Sequence, residues 1–240
     1  MSDRTRLSAP AKALRVGREG SETPLERELI CEHRLMLIVD GAAFAQLVCT
    51  RSMLRQLVLG RLCTAGRIRA PKDVIAMRFS ENEDRAEVTL RPGAGSDRPR
   101  NQTDQSRWSS EDIYRLAARA RTSMPLHDAT QGTHGCLLLH RGEVLCCCED
   151  IGRHNAIDKA VGEALVRGIP TCECVLYTTG RIAVDIVEKT ATAGVGVLAS
   201  RALPTAEALA LAQKLGLTLI CRAWEEQYEV YADGKEGQGL

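Results

Sequence analysis

The 240-residue sequence has no C-x-x-C pair, although it carries ten cysteines. The ligand spacing of a zinc ribbon and of a redox dithiol is therefore missing. Charge of one sign is also scarce in net terms, with 32 Lys and Arg against 31 Asp and Glu, and aromatics make up only 3% of the chain. A groove for long nucleic acid needs a basic track, and single-strand readers need stacking rings, so no long nucleic-acid partner is expected. A compact nucleotide site survives both exclusions. Apolar runs are short, Leu35–Val39 being one of the longest, far below the ~20 residues of a membrane span. Met1–Leu25 is polar and lacks the apolar stretch of a secretory signal. The expectation is a soluble cytoplasmic protein with no membrane partner. In that reducing setting a disulfide framework is not expected, and cysteines in apolar runs default to buried, inert thiols.

What is present divides the chain. Residues 1–25 lack periodicity and read as a flexible arm. Residues 26–108 read as a small α+β domain. Its strands are Leu29–Glu32, Arg34–Val39, Ala43–Cys49, Val74–Phe79 and Arg85–Leu90. Its helix starts after Thr50 as N-cap, puts Leu54, Leu57, Val58 and Leu62 on one face, and stops before Gly66. The polar, Gly- and Pro-containing stretch 91–108 reads as a linker or functional loop. Ser109-Ser110-Glu111-Asp112 then opens a helix that turns Ile113, Leu116, Ala117 and Ala120 inward.

Residues 109–233 alternate strands and helices with glycine stops, before a tail at 234–240. The strands are Gly135–Leu139, Val144–Cys148, Cys174–Thr178, Val195–Ser200 and Leu217–Arg222. The helices are Asn155–Val166, Ile182–Thr192 and Thr205–Leu215. That rhythm predicts a largely parallel sheet covered by helices, an α/β fold. Strand alternation sends Cys146 and Cys148 one way and Cys147 the other, and symmetric hairpin pairing sets Cys136 opposite Cys147.

The chain's organising stretch is Glu149-Asp150-Ile151-Gly152-Arg153-His154-Asn155-Ala156-Ile157-Asp158-Lys159, a strand-to-helix turn with an Arg at the helix start. A helix N-terminus offers free N–H donors and a positive dipole end, and a guanidinium beside it makes an anion pocket. The plainer reading has Asp150 and Asn155 capping the helix while Arg153 pairs with Glu149. Two further strand ends carry the same punctuation, Thr178-Thr179-Gly180-Arg181 and Ser200-Arg201 leading to Pro204-Thr205. In open α/β sheets these junctions share one rim, the usual ligand crevice. Three arginines there suit a phosphate or pyrophosphate, which guanidinium binds bidentately.

The eleven-residue motif resembles the signature of the FdhD/NarQ family of formate dehydrogenase accessory sulfurtransferases. The likeness extends to Thr130-Gln131-Gly132-Thr133-His134, Thr179-Gly180-Arg181, Glu188-Lys189 and Leu203-Pro204-Thr205, and upstream to Cys49-Thr50 and Leu57-Val58-Leu59-Gly60-Arg61-Leu62. It implies a cytidine-deaminase-like three-layer αβα domain with a mainly parallel or mixed sheet, behind a small N-terminal α+β domain. It also implies a sulfurtransferase task. A cysteine desulfurase supplies persulfide sulfur, which passes to Mo-bis(molybdopterin guanine dinucleotide) before that cofactor enters formate dehydrogenase. The implied cofactor-binding residues are Thr133, His134, Asp150, Gly152, Arg153, His154, Asn155, Asp158, Lys159, Thr179, Gly180, Arg181, Pro204, Thr205 and the segment Arg222, Ala223, Trp224, Glu225, Glu226, Gln227.

Two departures from the family pattern stand out. The family carries sulfur on a C-x-x-C loop just before the helix at Ser109, and Arg98–Ser106 contains no cysteine. Cys136 and Cys147 are the substitute candidates, with Cys146 and Cys148 next. The family's Gly-Phe-x-Arg-x-x-Arg segment aligns onto Cys221–Gln227, where Trp224 and Gln227 replace the arginines. The alternative is a non-catalytic paralogue that binds a GDP-like guanine nucleotide or molybdopterin nucleotide as a chaperone. A homodimer is left open. Zinc deaminase chemistry is excluded, because His134-Gly135-Cys136 lacks the Glu of H-x-E and no dicysteine follows, so no metal is expected.

Overall fold

The computed structural model describes residues 6–95 and 108–234, so most of the expected linker and the 235–240 tail lie outside the described residues. The N-terminal stretch is not the unstructured arm expected from its missing periodicity. It forms an antiparallel ribbon of β1 (Ser8–Val16) and β2 (Glu22–Ile30). Most of its side chains are exposed on both faces. An apolar alternation marks a strand only when one face is covered, so this ribbon leaves no such trace. Its register comes from the turn, where the Gly17 amide donates to Ser21 O at 2.7 Å and Gly20 takes φ 79°.

The small domain holds β3 (His33–Val39), β4 (Ala42–Cys49), β5 (Val74–Phe79) and β6 (Arg85–Leu90) in the order β4-β3-β6-β5. Helix α1 (Leu54–Thr64) is buried at Leu54, Leu57, Val58, Leu59, Gly60, Leu62, Cys63 and Thr64, so it is covered on more than one side. One side meets the sheet. The other meets α4 (Arg153–Val166), and two glycines set that approach. A Cβ on Gly60 would lie 1.7 Å from the carbonyl oxygen of Asp158, and one on Gly162 would lie 1.9 Å from that of Gln56. One apolar core consequently runs from Leu35 through Leu57 and Ala160 to Leu219. The linker at 91–108 marks a change of sheet while the core stays continuous. Thr50 does not cap α1. Met53 takes that place in a left-handed conformation, φ 53°, with no side-chain cap, because Thr50 is engaged by α4 and the strand before it.

The larger sheet has the order β12-β11-β10-β9-β7-β8. Strands β9 (Cys174–Thr178), β10 (Val197–Ser200) and β11 (Thr218–Cys221) run parallel. Strand β7 (His134–His140) is antiparallel to them, its hairpin partner β8 (Glu143–Asp150) runs with them again, and β12 (Glu229–Ala232) at the far edge is antiparallel. The sheet is therefore mixed, and β12 was not anticipated. Helix α2 (Ser110–Thr122), with the expected Ser109–Asp112 capping box, covers one face through Ile113, Leu116, Ala117 and Ala120 against Leu137, Leu139 and Tyr177. Helices α4, α5 (Val184–Thr192) and α6 (Ala206–Leu215) cover the other. The result is a three-layer α/β fold. A short α3 (Pro125–Thr130) leads into β7.

The β7–β8 hairpin corrects the expected thiol pairing. Arg141 and Gly142 form a two-residue turn with φ 50° and 80°, but a bulge follows, and Cys136 faces Cys148 while Cys147 faces Leu137. One extra residue in β8 slips the register by one. Among the described residues no helix is long and apolar enough to cross a membrane.

Candidate functional site

The polar residues of the organising motif fall into two sets, one beneath the surface and one on it. Asp150 and Lys159 are both wholly buried and pair at 2.6 Å. Lys159 Nζ also donates to Thr50 Oγ1 at 2.5 Å and to Glu149 O at 3.2 Å. The Thr50 amide donates to Asp150 Oδ2 at 3.1 Å. Asn155 donates to Val48 O at 2.7 Å and to Asp150 Oδ1 at 2.9 Å. One turn further along α4, buried Asp158 accepts from Thr64 Oγ1 at 2.6 Å and from the Lys189 ammonium. Burial pushes Lys189 below the usual lysine range against the pull of Asp158.

These two networks bolt the end of β4 and the end of α1 to α4. Asp150, Asn155, Asp158 and Lys159, expected to line a cofactor, thus spend their charges and donors inside the chain. The physical reason is packing: the end of β8 meets the end of β4, which sets Asp150 against Thr50 and away from solvent. The Arg153–Glu149 pairing of the plainer reading is not formed either. Glu149 instead accepts from the Leu126 and His127 amides at 3.0 and 2.6 Å and from Thr133 Oγ1 at 3.0 Å, securing the start of α3. Gly152 is the N-cap of α4, with no side-chain cap.

On the surface lies a cationic rim. The Arg153 stem crosses Gly180, where an added Cβ would meet its Cβ and Cδ at 3.1 Å, so a side chain there would displace the arginine. Arg153 Nε is buried and meets no hydrogen-bond acceptor among the described residues. That is a cost in a folded chain unless an acceptor arrives from outside. His134 sits beside it. Its pKa falls below the ordinary 6.5, first through burial and then through the charges of Arg153, His127, Arg201 and His154. Four cationic or potentially cationic groups therefore converge on one imidazole. His154 Nε2 donates to Asp185 Oδ2 at 2.6 Å. Burial raises the Asp185 carboxyl, but the His154 hydrogen bond and charge outweigh it and hold it low.

The remaining expected residues are distributed unevenly. Arg181 is exposed at the next junction and is not among the charges acting on His134. Thr133 and Thr179 are buried. Thr179 Oγ1 accepts from the Gly135 amide at 3.0 Å, which fixes β7 against β9. Pro204 bridges Ile182, and Thr205 caps α6 by accepting from Ala208 at 3.2 Å. In the C-terminal segment, Ala223 is buried, donating to Ser200 O and accepting from Tyr177 OH, both at 3.0 Å. Arg222 pairs with Glu229 at 3.3 Å and Glu225 with Arg121, so Glu225 brings no unopposed charge. Trp224, Glu226 and Gln227 are exposed. Arg201 and His127 join the rim although neither stood among the implied binding residues. The strand-end position of Arg201 was a legible signal, but nothing local marks His127.

The thiol candidates fare poorly. Cys136 is wholly buried and its pKa lies well above the ordinary 9.0, through burial first. Burial, with Glu149 and Cys146 nearby, pushes Cys147 up to about 12. Cys148 is raised as well, by its hydrogen bond with Cys146 and by burial. Thiolate, the nucleophile of sulfur exchange, is suppressed at all three.

Similarity to known proteins agrees with the motif. Over residues 94–236 the chain matches the model of the FdhD/NarQ family. It is 31% identical to the sulfur carrier protein FdhD of Halalkalibacterium halodurans over 80% of this chain and 82% of that one. It is 27% identical to the protein of the same description from Listeria monocytogenes over 89% and 92%. A crystal structure from Desulfotalea psychrophila, provisionally described as a formate dehydrogenase accessory protein, superposes with a TM-score of 0.82. That match has 25% identity and covers 96% of this chain and 99% of the other. With its motif, its fold and its full-length relatives in agreement, this chain belongs to the FdhD/NarQ family.

Proposed function

We propose that this chain is a formate dehydrogenase accessory protein that holds the phosphate-bearing tail of a guanine nucleotide, as in Mo-bis(molybdopterin guanine dinucleotide), on its cationic rim. The observation that carries the reading is Arg153, whose buried Nε has no acceptor from the described residues, while its charge and those of His127, Arg201 and His154 all act on His134. Phosphate oxygens supply the missing acceptors, and low local dielectric strengthens each charge-assisted bond. Arg153 and Arg201 would contact the phosphates, His134 and His154 would donate hydrogen bonds, and Gly180 leaves room for the arginine stem at the sheet end.

Calorimetry with GDP tests this. Arg153→Ala is expected to weaken binding roughly tenfold or more, because charge-assisted bonds contribute about 1.5–3 kcal/mol each. The affinity should also rise as pH falls toward the lowered pKa of His134. Free His134 resists protonation through burial and then through its cationic neighbours, and a bound anion opposes both, so binding takes up a proton. Equal GDP affinity in wild type and Arg153→Ala would sink the site.

Sulfur transfer from a cysteine desulfurase to the bound cofactor is the fuller task, supported by the description of the relatives as sulfur carriers. The thiols open to it are the half-buried Cys31, Cys146 and Cys172. Incubation with a desulfurase and cysteine, followed by peptide mass spectrometry, should leave Cys136, Cys147 and Cys148 without added sulfur. A persulfide on Cys136 or Cys147 would mean that burial does not silence them.

A further inference from the structure

A cavity opens where α1, α5 and α6 meet, bordering the sheet-end rim at His154 and Asp185. Its volume is about 670 Å³, inside the roughly 300–1,000 Å³ range of small-molecule sites. Its walls differ in character. Arg61 and Thr64 of α1 and Lys189 of α5 form the polar wall, and Leu211, Leu215 and Leu217 form the apolar one. Two features separate it from an ordinary surface groove. Arg61 Nε is buried without an acceptor among the described residues. Arg61 also stands near Lys189, whose pKa its charge helps to depress after burial has done most. Lys189 already has a countercharge in Asp158, so Arg61 is the cation left for a ligand. Exposed Asp185 and Glu188 line the cavity too; Asp185 is answered by His154 at 2.6 Å, and the repulsion from Glu188 grows with each charge a ligand adds, which disfavours a polyanion more than a monoanion.

We propose that this cavity binds a small organic monoanion with an apolar body, its carboxylate seated on Arg61 and its hydrocarbon against Leu211, Leu215 and Leu217. The class follows from the walls. One unpaired guanidinium matches one carboxylate, which it can meet bidentately. The leucine wall contributes by removing apolar surface from water, which a nucleotide phosphate chain cannot exploit. The site does not depend on the nucleotide reading of the rim, although His154 and its partner Asp185 border both.

Octanoate is the probe, titrated calorimetrically into the full chain, with octylammonium as a body of equal length and opposite charge. Wild type should bind octanoate saturably at one site and should ignore octylammonium. Arg61→Met, which keeps the stem and removes the charge, should weaken octanoate about tenfold or more, and Arg61→Lys should recover part of the loss. Ala191→Phe, placed on the α5 wall, should block binding by filling the cavity. GDP affinity should be the same in all of these proteins, so a failed rim and a failed cavity give different patterns. The proposal is overturned if wild type shows no saturable octanoate binding, or if octylammonium binds equally well. It is also overturned if Arg61→Met retains full affinity. Should that variant not fold, unchanged binding by Ala191→Phe decides against the cavity in its place.

Discussion

Lys159→Met should lower the free energy of unfolding by about 3–5 kcal/mol, the usual cost of removing one partner from a buried ion pair. Methionine reproduces most of the lysine stem, so little packing is lost and the effect isolates the charge. What remains is Asp150, fully buried, with donors from Thr50, Gly152 and Asn155 but no countercharge. A buried carboxylate in that position either stays charged at high cost or takes up a proton. Urea denaturation at pH 7 reads the difference. Adding Asp150→Asn should restore part of the loss, since the double variant no longer buries an unpaired charge. A change under about 1 kcal/mol in Lys159→Met, the magnitude of exposed pairs, would show that the pair is solvated and does not bolt β4 to α4.

Gly60→Ala carries the second large expectation, and its sign is the informative part. Helix propensity alone favours Ala over Gly by about 0.8–1.0 kcal/mol, so an uncrowded helix would be stabilised. Here the new methyl group would sit 1.7 Å from the Asp158 carbonyl oxygen, against backbone that cannot rotate away. The helices α1 and α4 must separate, opening the shared core and pulling Thr64 from Asp158. Overpacking usually costs about 1–3 kcal/mol, and backbone against backbone puts this case at or above the upper end. Thermal unfolding should therefore fall steeply for Gly60→Ala. Gly162→Ala, facing Gln56 at 1.9 Å, should behave alike, and the pair should be less than additive because one helix separation relieves both. An unchanged or raised midpoint would mean that α1 and α4 are not in contact at these glycines.

Both expectations revise the meaning of the eleven-residue motif. A run of acids, Asn and Lys around a helix start looks like ligand chemistry when only spacing is available. Most of it is assembly chemistry: Glu149 starts α3, Asp150, Asn155 and Lys159 hold the end of β4, and Asp158 holds the end of α1 through Thr64 and Lys189. Arg153 and His154 are what the motif offers to the outside. Glu225, in the segment aligned with the family's cofactor-binding arginines, is answered by Arg121 on α2, a residue 104 positions away in the chain.

The sequence alone marks the elements that have at least one covered face. Strands β5, β6 and β9 and the buried faces of α1 and α2 follow from apolar period, and the stops at Gly66, Gly168, Gly194 and Gly216 follow from residues that take positive φ. It also determined that Arg153 stands at a helix start on a strand-end rim. It left no trace of the β1–β2 ribbon, which has no covered face, nor of the bulge that moves Cys136 from Cys147 to Cys148. Which charges face inward was set by tertiary packing. Burial is a property of what lies on the far side of a residue, and for Asp150 and Asp158 that neighbour is a segment roughly a hundred residues earlier. Local spacing holds no information about so distant a partner, whereas the packed helices α1 and α4 bring it within hydrogen-bond reach.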